Sequence, residues 1–144
     1  MHQPPPRWLA FSFAFIALLF VLRTAAAQPA PDAGAERAAS VWLRLVDDGK
    51  YAESWKDASS YFRSRVTEDD WVNTIASLRA ALGGLAARDI ASAETATALP
   101  GAPDGNYAVI QYNTSFSNKR SATETVVMKL DKDGQYRLVG YFIR

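Results

Sequence analysis

The chain of 144 residues contains no cysteine and a single histidine, His2. Thiol chemistry, disulfide staples, Cys/His zinc sites and histidine-dependent nucleophiles are therefore excluded beyond that one position. Charge of one sign is also missing. Lys plus Arg number 16 and Asp plus Glu 15, a formal charge of +1. A protein held to nucleic acid by phosphate neutralisation needs a clear basic excess, so a nucleic-acid partner is not expected. What is present is ordinary for a globular chain: 49% hydrophobic and 22% charged residues. The length suits one domain.

The first 27 residues read as an export tag. Arg7 precedes Leu9 to Leu22, an unbroken run of apolar and small residues that Arg23 ends. Thr24-Ala25-Ala26-Ala27 follows, with Gln28 next. A positive start, a short apolar middle and a small-x-small site are the parts of a secretory signal peptide. A spanning helix needs about 20 apolar residues, more than Arg23 allows. Cleavage is expected after Ala27, giving a periplasmic or secreted protein with no membrane contact once processed. Residues 1–27 take Arg7, Arg23 and His2 with them, leaving 14 basic and 15 acidic residues. The remainder then lacks histidine and cysteine altogether, and its core alone must hold it together.

Residues 28–34 carry Pro29, Pro31 and Gly34 and read as a flexible leader to one domain over 35–144. Ala39, Trp42, Leu43 and Val46 fall on one helical face, and Gly49 suits the helix stop. Tyr51, Ala52, Trp55, Ala58 and Phe62 continue a helical face. Thr67 is expected to cap a helix with Asp70 three residues on, and Val66 and Trp71 stand in the staple positions. Trp71, Ile75, Leu78 and Leu82 are expected as its buried stripe, with Gly83-Gly84 ending it. Glu68, Asp69 and Asp70 match the positive end of the helix dipole rather than a metal. No metal ligand set and no cofactor are expected. The period then becomes two. Strands are expected over Arg88–Leu99, Tyr107–Phe116, Glu124–Leu130 and Gln135–Ile143, with a polar connection at Ser117–Ser121 and a hairpin turn at Asp131–Gly134. Helices first and strands second make a segregated α+β layer.

These residues resemble a known family. Trp42 with Leu45 and Val46, Gly49-x-Tyr51-x-x-x-Trp55, Trp71, Leu82-Gly83 and Arg88 carry the likeness through the first half. Leu99-Pro100-Gly101-x-Pro103-x-Gly105-x-Tyr107, Phe116-x-Asn118-Lys119, Glu124-Thr125-Val126, Gly134-x-Tyr136-Arg137 and Gly140-Tyr141 carry it through the second. Together they resemble domain of unknown function family 4019, from about Ala35 to the end. Tyr136 departs mildly, standing where Trp is more usual. The resemblance implies a small exported bacterial protein with a cone-shaped fold like nuclear transport factor 2 and the cystatins: helices on a curved four-stranded antiparallel sheet. It implies no reaction, so no catalytic residue is assigned.

Six residues are candidates for a ligand or partner site. Glu124 shares a strand face with Val126, Met128 and Leu130, so partial burial could raise its pKa toward that of a general acid or base. The structural alternative is an ion pair at the rim with Arg88, Lys119 or Arg120. Asn118 and Lys119, beside Arg120, offer cationic and amide groups to an anion. Tyr112 and Asn113 lie on opposite faces of the second strand. The Leu99–Gly105 loop is read as a structural corner, or else as an edge presented to a partner. The tryptophans at helical spacing are read as core. The reading that fits best is an exported, non-enzymatic module that binds an unknown small ligand or a periplasmic protein. Two alternatives stand beside it: a hydrolase- or isomerase-type enzyme using Glu124, and a self-associating subunit or homodimer.

Overall fold

A computed structural model describes residues 32–144. The expected export tag and most of the leader lie outside these residues. The chain builds four helical segments and then four strands. The helices are α1 (Ala33–Asp47), α2 (Tyr51–Asp57), α3 (Ser60–Arg63) and α4 (Glu68–Leu82). The strands are β1 (Leu85–Ala96), β2 (Tyr107–Phe116), β3 (Lys119–Leu130) and β4 (Tyr136–Ile143). They form one antiparallel sheet in the order β1-β2-β3-β4. The segregated α+β layering follows from hairpin connections that leave no crossover for a helix.

Three of the four helices start where a side chain takes up a free amide; α2, preceded by Lys50, does not. Asp32 accepts from the Gly34 N–H at 2.8 Å, so α1 begins at Ala33, inside the expected leader. The Tyr136 hydroxyl donates to the other Asp32 oxygen at 2.7 Å, tying the start of α1 to β4. That hydrogen bond and the Gly34 amide hold the Asp32 carboxyl below its usual value. Ser59 caps α3 through the Phe62 N–H, and Thr67 caps α4 through the Asp70 N–H at 3.2 Å. Val66 and Trp71, either side of that cap, join the same core.

Alternation on the sheet decides what the helices cover. Ala108, Ile110 and Tyr112 of β2, Val126 and Met128 of β3, and Leu138 of β4 face Ala39, Trp42, Leu43 and Val46 of α1. Trp42, Trp71, Phe62 and Tyr141 pack edge-on or tilted, with ring centres 5.1–6.3 Å apart. Ser54 serves both inner indoles: its carbonyl accepts from Trp42 Nε1 and its hydroxyl from Trp71 Nε1, each at 2.9 Å. These tryptophans are core residues with their N–H groups satisfied.

Four boundaries differ from expectation, each for a local reason. The Ser117-Asn118 turn is two residues long, so β3 starts at Lys119 rather than Glu124, and Lys119 and Arg120 lie on a strand. β1 runs Leu85–Ala96 rather than Arg88–Leu99. Leu99 instead folds with its loop onto the outer sheet face, buried with Tyr107 and Val127. β4 starts one residue late, at Tyr136. On α4, Leu78 is 37% exposed and Arg79 takes the inner position between Ile75 and Leu82. Arg79 lies four residues on from Ile75, one full turn along the same face.

The Leu99–Gly105 segment is a packed corner. Gly101 adopts φ +77°, and its carbonyl accepts from the Tyr61 hydroxyl at 2.6 Å. The Tyr107 hydroxyl donates to the Pro103 carbonyl. A valine at Gly101 would have to adopt the left-handed region against its β-branch. Gly101→Val is expected to cost about 2 kcal/mol or more, read as a lower midpoint in thermal unfolding. An unchanged midpoint would favour the partner-presenting reading of this loop.

Candidate functional site

Where β1 and β3 pass under the end of α1, six side chains converge. Glu124 lies on the helix-facing side of β3, opposite Tyr112 of β2 and Ile143 of β4. Its relative exposure is 0%. Arg88 of β1 reaches it across Thr114 of β2, its register partner. Arg88 Nε donates to Glu124 Oε2 at 2.6 Å and Nη2 to Oε1 at 3.1 Å. Thr114 Oγ1 donates to Oε2 at 2.6 Å, and the Tyr141 hydroxyl donates to Oε1. Each carboxylate oxygen thus accepts two hydrogen bonds.

The other edge of the same guanidinium is held by Asp47, the last residue of α1. Arg88 Nη1 donates to Asp47 Oδ2 at 2.6 Å and Nη2 to Oδ1 at 3.0 Å. Arg79 of α4 adds a third bond, Nη2 to Asp47 Oδ1 at 2.9 Å, while its guanidinium lies 4.9 Å over the Phe116 ring. The side chains of Arg79, Arg88 and Asp47 are only 7%, 11% and 16% exposed. Two cations and two carboxylates give a neutral cluster that ties α1, α4, β1 and β3 together.

The local electrostatics follow from burial and pairing. Burial pushes the Asp47 carboxyl up, but hydrogen bonds and charge from Arg88 and then Arg79 outweigh it and hold it below the ordinary value. Burial works against the charged Arg88, yet Asp47 and Glu124 raise its pKa further. Tyr141 is pushed well up by burial, then by the charge and hydrogen bond of Glu124, so it stays a donor.

Of the expected site residues, Glu124 and Arg88 meet, in the interior rather than at a rim. Tyr112 is their neighbour on the same face. Its hydroxyl is buried without a hydrogen-bond partner among the described residues, as is Arg79 Nη1. Asn113 points from the opposite face and is exposed. Asn118 closes the C-terminus of α4: its N–H donates to the Leu82 carbonyl at 2.9 Å and its Nδ2 to the Ala81 carbonyl at 3.2 Å. The same turn leaves no room for a side chain at Gly83, whose Cβ would stand 2.0 Å from Ser117 Oγ. Lys119 is exposed at the start of β3. Asn118 and Lys119 therefore do not converge with Glu124.

Asp47 and Arg79 were not singled out by sequence reasoning. Their only sequence signal is position: Arg79 follows Ile75 by one helical turn, and Asp47 follows Leu43 by four residues. A second feature, an open depression of about 450 Å³, lies between Ser60, Lys129 and the β3–β4 hairpin. Its acids are already paired, since Arg137 bonds Asp131 at 2.9 Å and Asp133 at 2.7 Å. The Arg137 hydrogen bond, helped by the Gln135 N–H, lowers Asp133 to about 2. Among the described residues, no three of His, Cys, Asp or Glu are grouped to hold a metal.

A family model described as "Protein of unknown function (DUF4019)" matches residues 38–141. The chain belongs to this family. No curated protein matches it. The matched span of this DUF4019 protein holds every member of the charge cluster.

A carboxylate used as general acid or base must offer a lone pair to substrate. Both Glu124 oxygens are fully engaged, so the cluster acts as an electrostatic pin. Removing one charge would leave Arg88 buried and half paired. Glu124→Gln is expected to destabilise this DUF4019 protein by about 3 kcal/mol, with a drop of roughly 10 °C in Tm. A retained Tm would mark Glu124 as dispensable for the fold.

The pH dependence has a definite sign. Asp47 has a lower pKa folded than unfolded, so its contribution is fully present above the unfolded value of about 4 and is lost as pH falls through the folded one. Denaturant unfolding followed from about pH 6 down to pH 2 should show this acid loss, and Asp47→Asn should flatten it. An unflattened profile would exclude Asp47 as the acid-sensitive group.

Proposed function

We propose that the protein is an exported, non-enzymatic accessory module of the cystatin-like, nuclear transport factor 2-like type, which binds a small ligand or protein partner in the cell envelope. The observation that carries this reading is the state of Glu124. It is the one acid on an apolar strand face, it is wholly buried, and four donors occupy its oxygens. The site that would have supported acid–base chemistry is spent on holding the fold. The aromatic residues are spent likewise, filling the space between helices and sheet where a cone-shaped relative would keep its pocket.

Export is supported by the sequence alone: Arg7, the Leu9–Leu22 run and the Ala25-x-Ala27 site. With the tag removed, the chain carries neither histidine nor cysteine, which fits a binding role better than a catalytic one. Fold likeness gives no function by itself.

Native mass spectrometry of the protein recovered from the envelope of its own cells tests the reading. The expected result is a chain beginning at Gln28 with an added ligand mass or a partner protein. A chain that keeps residues 1–27 would overturn the export reading. A turnover activity lost in a folded Glu124→Gln variant would overturn the non-enzymatic one.

A further inference from the structure

An aspartate followed by glycine is the dipeptide at which a backbone rearranges most readily, because glycine has no side chain to obstruct its nitrogen as it closes onto the aspartate carboxyl. The chain has three such pairs: Asp48-Gly49, Asp104-Gly105 and Asp133-Gly134. Each glycine N–H donates one hydrogen bond, to the Val46, Thr97 and Asp131 carbonyls at 3.1, 3.0 and 3.0 Å, so amide bonding does not separate them. The carboxyl and the space around the glycine do.

The Asp133 carboxylate is occupied. Arg137 bonds both its oxygens, at 2.9 and 2.7 Å, and the Gln135 N–H adds a bond at 3.1 Å. Held at a pKa of about 2, it offers little of the protonated acid that ring closure consumes. Asp104 is exposed, but its glycine is hemmed in. A Cβ at Gly105 would stand 2.7 Å from Lys129 Cε. The corner around it is pinned by the Tyr107 hydroxyl on the Pro103 carbonyl and by the Ala102 N–H on the Leu99 carbonyl. Asp48 has neither restraint. It is exposed, and among the described residues no hydrogen bond or ion pair engages its carboxyl. A Cβ at Gly49 would meet nothing within 4 Å. The fold itself demands the glycine. Gly49 has φ +74°, and α1 closes through Gly49 N–H on Val46 and Lys50 N–H on Leu45 at 2.8 Å, a stop that needs a left-handed residue.

We propose that Asp48 is the residue at which this chain rearranges to isoaspartate, and that the change loosens the Asp47 anchor. The Gly49 nitrogen bonds to Asp48 Cγ. Its proton and the carboxyl hydroxyl leave as one water, which gives a five-membered cyclic imide. Water then opens the ring at the Asp48 main-chain carbonyl. The chain now runs through Cβ, the α-carboxyl becomes the side group, and the mass is unchanged. The extra methylene falls inside the two bonds that close α1, one residue after the carboxylate that takes three bonds from Arg88 and Arg79. This proposal does not depend on the binding role proposed above.

The test holds the intact protein warm in mildly acidic buffer for several weeks. Electron-transfer fragmentation of its peptides then locates isoaspartate, and isoaspartyl methyltransferase counts it. The expected result is isoaspartate at position 48 in several-fold excess over positions 104 and 133. Arg137→Ala should raise the amount at 133 several-fold and leave 48 unchanged. Asp48→Glu cannot close the five-membered ring, and should abolish the signal at 48 while keeping the Tm of the fresh protein, because Asp48 is exposed and unbonded. After ageing, the unaltered protein should unfold at a lower temperature than Asp48→Glu. Isoaspartate absent, or more abundant at 104 or 133, would overturn the assignment, as would an unmoved signal at 133 in Arg137→Ala. Equal midpoints in the two aged proteins would overturn the loosening of Asp47.

Discussion

One guanidinium organises the lower half of this molecule. Arg88 lies flat between two carboxylates, Glu124 from the sheet and Asp47 from the end of α1, and gives a hydrogen bond to every oxygen of both. An isolated buried charge costs several kcal/mol, and a buried pair offsets that only when its remaining valences are filled. Here they are, by Thr114 and Tyr141 on Glu124 and by Arg79 on Asp47. An arginine is needed at position 88 because only a planar fork serves two carboxylates at once. The cluster ties the end of α1 and the inward face of α4 to β1 and, across β2, to β3.

The upper half is held differently. Trp42, Trp71, Phe62 and Tyr141 fill the space between helices and sheet, and Ser54 satisfies both inner indoles. Tyr141 belongs to both halves: its ring packs on Trp42 and Trp71 while its hydroxyl closes the shell around Glu124. The polar cluster and the aromatic core are therefore one continuous interior. This division explains the absence of cysteine in physical terms. Directional bonding supplies the cross-connection that other small domains take from disulfides.

Much of this was legible in the residues. The helix-then-strand order, the Thr67 cap, the limits of β2 and the tryptophan core all follow from period and capping chemistry. An ion pair of Glu124 was legible as an alternative, with Arg88, Lys119 and Arg120 all open as its cation, because a carboxylate on an apolar strand face needs one. Its depth was not, because burial is set by α1, which lies some 80 residues earlier in the chain. Leu78 was misplaced for a related reason. Apolar spacing alone put Leu78 inside, whereas an arginine with a buried acid to meet displaces it. The late start assigned to β3 came from reading Ser117–Ser121 as loop. Polar residues occupy a strand readily where the sheet runs past the helices into solvent.

Glu124 and the aromatic side chains of the interior bond and pack with one another, and so hold helices and sheet together. On the helix side, Arg79 Nη1 and Tyr112 OH are buried without hydrogen-bond partners among the described residues. On the outer face, the Leu99 loop covers Tyr107 and Val127, and the rest of β2 and β3 shows Asn113, Gln111 and Thr123. Val109, Val139 and Phe142, partly buried beside them, make that face mixed rather than polar. At the rim, the β4 edge is met by the Ser59 N–H at the Leu138 carbonyl, and among the described residues the outer side of β1 has no backbone bond. β1 is guarded in its own way: it carries Arg88, Asp89 and Glu94, with Arg88 turned inward to Glu124, and two register shifts that twist it away from a straight template.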